Sequence, residues 1–336
     1  MSNVYKKIPI EGPTGYGTMS LTMRSERLDN QDCFDAINKA LEQGITFFNV
    51  GEFYGDDKDR FLNLKLFREY FAKYPQNRDK MTISVKGAVD PNTFTPSNTP
   101  EELTKSIKHI ASYFPDNKFD IFEPARMDNI HSPEEVFSFL KRFVDDGTIK
   151  GLSISEVNGK TVSRVLSVFP ALSCVEVEYS MMQTDILTNG VNDVCRKHGI
   201  PIIAYSPLGR GYLTGSIRKI EDIPKGDFRR SIGRMSSDEV LKANFAVVKL
   251  ALDYAEKKNC TAAQIALAWI RKHNEFPEKY AHIVPIPSGS SVKRVTENST
   301  LVKLTDEEFA DMNEKISKFD IKGLRYNEYE EQYLNL

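Results

Sequence analysis

Eight short apolar runs recur along the chain, several of them rich in Val, Ile and Phe, with an amphipathic helical stretch between one and the next. They are residues 15–20, 45–50, 81–86, 119–125, 150–155, 174–179, 200–206 and 282–287. Runs of this kind read as parallel strands buried on both faces. Parallel neighbours need a long crossover, usually a helix, to connect them. Eight such units predict a (β/α)8 TIM barrel, with a doubly wound sheet as the runner-up.

Helix starts are marked independently. Thr99-Pro100-Glu101-Glu102, Ser132-Pro133-Glu134-Glu135, Thr261-Ala262-Ala263-Gln264 and Thr305-Asp306-Glu307-Glu308 each offer a hydroxyl followed three residues later by Glu or Gln, as in a capping box. The third opens a helix expected to run to about His273, with Trp269 in its interior as a core residue. No long linker, low-complexity tract or further repeat divides the 336 residues, so one domain is expected over 1–336. A C-terminal tail, about 319–336, is placed near the pocket mouth; a packed strap is the plainer reading of it.

Composition removes several function classes. The net charge is −2 with acids and bases interspersed, so no basic stripe argues for nucleic acid. No apolar run approaches the ~20 residues needed to span a bilayer. The first residues lack the apolar core of a signal peptide. Cys33, Cys174, Cys195 and Cys260 form no CxxC pair and read as free thiols in a reducing compartment. The expected location is therefore cytoplasmic, the nucleus being the alternative. The five histidines show no ligand spacing, and no metal is expected.

Barrels carry their chemistry at the C-terminal ends of the strands. Met19, Asn49, Lys86, Ala125, Ser155, Glu176, Ser206 and Ser288 all fall at or near such ends in this register, and Tyr54 lies in the loop after the second strand. Tyr54 and Lys86 thus converge on one mouth from adjacent strands. A lysine beside a phenol lowers its pKa, and such a phenol suits general-acid chemistry at a carbonyl reduced by hydride. Read singly, the two would be an exposed tyrosine and a solvated lysine. The match of Tyr54-Gly55-Asp56-Asp57-Lys58 to a YxxxK helix motif is discounted, because Gly55-Asp56-Asp57 makes a poor helix interior.

Two glycine-containing loops follow the last two strands. In Ser206-Pro207-Leu208-Gly209-Arg210-Gly211, glycines let backbone N–H groups approach an anion and Arg210 adds charge. Ser288-Gly289-Ser290-Ser291 opens a helix that carries Arg294 and Asn298, an arrangement suited to phosphate. Loops after the seventh and eighth strands are the usual phosphate site of such barrels. A solvated surface loop and an ordinary capped helix are the bland alternatives.

Together, 47–55, Ser84-Val85-Lys86-Gly87, Gly151-Leu152-Ser153-Ile154-Ser155-Glu156-Val157, Val177-Glu178-Tyr179-Ser180, 204–215 and Asp227-Phe228-Arg229-Arg230-Ser231 resemble an aldo-keto reductase. The resemblance implies a barrel that binds extended NADPH across its strand ends and reduces a small aldehyde or ketone. It implies cofactor contacts from Met19, Ser155, Glu176, Ser206, Leu208, Gly209, Arg210, Gly211, Ser288, Gly289, Ser290, Arg294 and Asn298. Tyr54 and Lys86 match the tyrosine and lysine of the family's Asp-Tyr-Lys-His tetrad. Asn49 stands at the aspartate position and Ala125, a substrate-pocket residue, at the histidine position. Glu176 replaces the usual glutamine near the nicotinamide amide, and Ser288 a lysine common at the 2′-phosphate.

Asn49 combined with Ala125-Arg126 resembles the fungal pyridoxal reductase group, which implies reduction of pyridoxal to pyridoxine. With Asn49 in place of Asp, Lys86 is expected to lack a counter-charge and to depress the Tyr54 pKa further, unless Lys86 itself loses its proton. Asn49 would still accept a hydrogen bond from Lys86. Ala125 frees volume beside the reacting centre for a substituted ring. Other carbonyl substrates, or a cofactor-binding regulatory role resembling that of potassium-channel β subunits, are the alternatives. A glycosidase has little support, because Glu176 and Glu178 lie two apart on one strand. Oligomeric state stays open.

Overall fold

The computed structural model describes residues 5–336. Its strands are β1 (Tyr16–Gly17), β2 (Phe47–Gly51), β3 (Thr82–Gly87), β4 (Phe119–Pro124), β5 (Ile149–Ser155), β6 (Cys174–Glu178), β7 (Ile202–Tyr205) and β8 (Ile283–Pro285). They pair in sequence order, and every ladder is parallel. A parallel bridge from Gly17 to Ser288 closes the cylinder, with hydrogen bonds from Gly15 N to Pro285 O (3.0 Å) and Gly17 N to Pro287 O (3.3 Å). The result is the (β/α)8 barrel.

The first strand is shorter than the predicted 15–20. Thr18 leaves the extended conformation (φ −98°, ψ −1°), anchors its N–H and hydroxyl on Asn49 O (3.0 and 2.7 Å), and starts the short helix Met19–Thr22. The eighth strand ends at Pro285, and Pro287 likewise lacks the N–H that would extend the ladder. Capping boxes at Ser132, Thr261 and Thr305 are reciprocal, whereas Thr99 accepts from Glu102 N without a return bond. The helix after Thr261 spans Ala262–Lys272 and continues as a 3-10 turn through Glu275. Trp269 is buried there, stacked on Tyr179 with its Nε1 donating to Asn313 Oδ1. Among the described residues no helix is long and apolar enough to cross a membrane.

The inside of the barrel changes character along its axis. Phe47, Ile121, Cys174, Ile203, Val284 and Ile286 form an apolar layer, joined by Ile10 from the N-terminal segment. Side chains two residues apart on a strand share a face. Stepping two residues onward from Phe47, Ile121 and Cys174 gives Asn49, Glu123 and Glu176, all buried, and Lys86 and Ser153 join them. Burying charge is costly unless it is paired and hydrogen-bonded, so this upper layer must be an organised network.

Backbone strain collects at the same end. Ala88, Glu156 and Ser206 directly follow β3, β5 and β7, and each has a positive φ (60°, 56° and 48°). A left-handed non-glycine residue costs on the order of 1 kcal/mol and persists where its surroundings over-determine it. At Glu156 the cause is visible: its N–H donates to Glu176 O (2.9 Å), and its carboxylate accepts from Glu178 N (2.8 Å) and Arg325 Nη2 (2.8 Å).

Candidate active site

Tyr54 folds back over the end of β2. Gly51 permits this, because a Cβ there would sit 2.6 Å from Tyr54 Cγ. The turn is pinned by Tyr54 N to Gly51 O (3.3 Å), while Tyr54 O accepts from Thr22 Oγ1 (2.8 Å) and Asn63 N (3.1 Å). Residues 54–58 are not helical, so the YxxxK match has no structural counterpart. Tyr54 is buried, and Lys86 Nζ lies 5.3 Å from its ring centre.

Lys86 has two further partners. Its ammonium donates to Glu176 Oε1 (2.5 Å) and Asn49 Oδ1 (2.8 Å), and Asn49 Nδ2 donates to Glu176 Oε2 (2.5 Å). The three side chains close a ring of hydrogen bonds between β2, β3 and β6. This corrects the expectation that Lys86 lacks a counter-charge: Glu176 supplies it from across the barrel. Burial alone would lower the Lys86 pKa, but the charge of Glu176, with its hydrogen bond, holds it above its ordinary value.

The expected low Tyr54 pKa is also corrected. Burial raises it, the ammonium of Lys86 works in the opposite direction without overcoming the desolvation, and Glu176 adds to the rise. The phenol therefore holds its proton until a negative charge develops beside it.

Glu123, paired in register with Lys86, was given no role by the sequence reading. It is fully buried, accepts from Ser153 Oγ (2.6 Å) through Oε2, and leaves Oε1 without a partner. Burial and the neighbouring Glu176 push its carboxyl pKa up to about 8. It is thus the acid of this layer that stays neutral, while Glu176 takes the ion pair.

A cavity of about 280 Å3 opens above these groups. Tyr54, Lys86, Ala125, Ser155, Glu176, Ser206, Met19 and Arg210 all line it, as do Phe53, Phe94 and Phe228. Ala125 is held at the strand end by its N–H to Gly87 O (3.0 Å) and presents only a methyl group. The tail contributes Tyr326, Asn327, Glu330 and Tyr333 to the wall. It is moored by Arg325, which donates to Glu178 Oε2 and Glu156 Oε1 (both 2.8 Å) and to Tyr205 Oη (3.1 Å). Tyr205 and Tyr326 join hydroxyls at 2.9 Å. Tyr205, Glu156 and Arg325 were given no site role from sequence, and Arg126 entered only as a mark of the resemblance; charges placed beside buried strand ends were the available signal.

The predicted cofactor residues fall in two groups. Leu208, Gly209, Arg210 and Gly211 form a tight turn after β7, with φ of 54°, 55° and 95° at Gly209, Arg210 and Gly211. Ser288, Gly289 and Ser290 follow β8 and lead into the helix Val292–Ser299, capped by Ser291. At Gly289 a Cβ would meet Val295 Cγ2 at 2.9 Å. Asn298 is buried and donates to Ser288 O (3.2 Å), while the Arg294 side chain is exposed. Ser155 Oγ, buried in the cavity wall, has no hydrogen-bond partner. An unpaired hydroxyl beside an acid and a base suits an amide-bearing ring, so the residues present fit a nicotinamide. Among the described residues no group of His, Cys, Asp or Glu could hold a metal.

The sequence matches the model of the Aldo/keto reductase family over residues 13–317. A Saccharomyces cerevisiae protein named "Putative pyridoxal reductase" is 41% identical over 333 residues, with 93% of this chain and 95% of that protein covered. A Schizosaccharomyces pombe protein named "Probable pyridoxal reductase 2" is 35% identical, with 97% of each covered. The fold resembles that of a glycerol dehydrogenase from Gluconobacter oxydans (TM-score 0.76, 17% identity), with 95% of this chain and 97% of that one covered.

Proposed function

The chain belongs to the aldo/keto reductase family, and on that premise we propose that it reduces an aldehyde to an alcohol with NADPH, pyridoxal to pyridoxine in particular. The observation that carries the reading is Tyr54, buried with a protonated phenol at the cavity wall and backed by the Lys86 ammonium. The names of the two yeast relatives support pyridoxal as the substrate.

When bound, the nicotinamide supplies the hydride that reduces the carbonyl carbon. Ser155 is the residue to hold its carboxamide, the turn Gly209–Thr214 with Arg210 its pyrophosphate, and Ser288, Gly289, Ser290, Arg294 and Asn298 the adenosine end. Met19 and Ser206 add to the cavity wall, and Leu208 directly precedes the turn. Tyr54 donates its phenolic proton to the carbonyl oxygen as negative charge builds there. Lys86 then stabilises the phenolate left behind. Asn49 and Glu176 keep that ammonium charged and fixed in place, so that none of its stabilisation is lost to reorientation. A positioned acid of this kind contributes about 10²–10⁴-fold to rate. Ala125 offers the oxygen no second donor, so Tyr54 carries proton donation alone.

The test is to follow NADPH oxidation by the purified protein with pyridoxal and a panel of simpler aldehydes. Turnover of pyridoxal is expected. Tight NADPH binding with no turnover of any aldehyde would instead describe a cofactor-binding regulatory protein.

A further inference from the structure

Arg126 has no part in the reading above. It follows Ala125 past the end of β4 and lines the cavity. Its guanidinium donates to Ala125 O (2.5 Å) and Tyr326 Oη (3.1 Å) and lies 5.4 Å from the Tyr326 ring centre. A guanidinium carries more N–H donors than these two bonds use.

The acids nearby are engaged elsewhere. Glu156 and Glu178 pair with Arg325, Glu178 also lies 3.6 Å from Arg234, and Glu176 pairs with Lys86. Glu330 lines the same cavity, yet among the described residues no carboxylate comes within the 4.0 Å of an ion pair with Arg126. Burial works against the Arg126 charge, but its surroundings, Glu156 among them, more than offset that cost. With no direct ion pair, the spare N–H donors of this half-buried cation remain open to an anionic group of a ligand. Its backbone neighbour Ala125 is the wall residue whose small size leaves room beside Tyr54.

We propose that Arg126 is a specificity-determining residue of this cavity. It selects aldehydes that carry an ionised oxygen on the ring atom next to the one bearing the carbonyl. The phenolate of a 3-hydroxypyridine-4-carbaldehyde is of this class. Hydride addition raises negative charge on the carbonyl oxygen beside an existing phenolate, and that repulsion slows the reaction. Tyr54 relieves one oxygen by protonation, and Arg126 neutralises the other through a charge-assisted hydrogen bond. The inference rests on the aldehyde-reductase reading.

The experiment compares 3-hydroxy-, 3-methoxy- and unsubstituted pyridine-4-carbaldehyde with NADPH. The enzymes are the wild type, Arg126→Met and Arg126→Lys. The wild type should prefer the 3-hydroxy compound over the 3-methoxy compound. In Arg126→Met, kcat/KM for the 3-hydroxy compound should fall about 10- to 100-fold more than for the other two. Arg126→Lys, which keeps the charge without the fork, should recover part of the difference. Equal losses for all three aldehydes would overturn the proposal, since they would mean that Arg126 only moors the tail through Tyr326. A wild type indifferent to the 3-hydroxyl would overturn it too, and that comparison decides even if the Met variant fails to fold. If the wild type oxidises NADPH with none of the three, the reductase reading falls and takes this inference with it.

Discussion

Lys86 Nζ stands 2.5 Å from Glu176 Oε1, an ion pair that ties β3 to β6 across the barrel. Asn49 completes the ring by accepting from Lys86 and donating to Glu176. The aspartate that the family resemblance implies at position 49 is absent, and its negative charge has moved to position 176. Two departures that look unrelated in sequence are one exchange in space: the carboxylate and the carboxamide trade strands, and the cluster keeps its charge.

Tyr54→Phe should abolish aldehyde turnover while NADPH affinity stays within a few-fold of wild type. Tyr54 is the phenol that the Lys86 ammonium backs, and the cofactor residues lie elsewhere on the wall. Stopped-flow kinetics with a cofactor fluorescence titration would check this. A wild-type-like kcat would remove Tyr54 from the mechanism.

Glu123 makes stability depend on pH. Below its ordinary value of 4.5 the carboxyl is protonated in the folded and the unfolded chain alike. Between 4.5 and about 8 the unfolded chain ionises while the folded chain keeps its proton, so stability falls as pH rises. The slope for one such group is about 1.4 kcal/mol per pH unit, a loss on the order of a few kcal/mol across the window. Glu123→Gln still accepts from Ser153 and should escape the decline. Its Tm advantage over wild type should grow from pH 5 to pH 9; parallel profiles would show that Glu123 is ionised throughout.

The barrel was legible because eight apolar runs alternate with amphipathic stretches, four of which open on capping residues. Tyr54 and Lys86 were legible because adjacent strand ends must share a mouth. The Lys86–Glu176 pair was not: the two are 90 positions apart and meet only because the sheet closes, which local pattern does not encode. The direction of the Tyr54 shift was misread for a related reason. Sequence placed the lysine beside the phenol, but desolvation depends on what covers the site, and the tail residues Tyr326, Asn327 and Glu330 that line it come from the far end of the chain.

Arg294→Ala should weaken NADPH far more than NADH. Arg294 is exposed on the helix that follows the Ser288–Gly289–Ser290 turn, where Ser288 offers no charge to a 2′-phosphate. A charge-assisted contact of this kind is worth about 1.5–3 kcal/mol. Calorimetric Kd values for both cofactors would check it, and equal losses would mean that Arg294 does not read the phosphate.

The exchange of charge between positions 49 and 176 is tested most directly by Glu176→Gln and Asn49→Asp/Glu176→Gln, measured side by side for kcat and Tm. Glu176→Gln leaves the Lys86 ammonium buried without a counter-charge, which should cost about 3–5 kcal/mol of stability and lower kcat. Adding Asn49→Asp returns the carboxylate to the other side of the same ammonium, and the double variant should regain most of both. A double variant no more stable and no more active than Glu176→Gln would contradict the account.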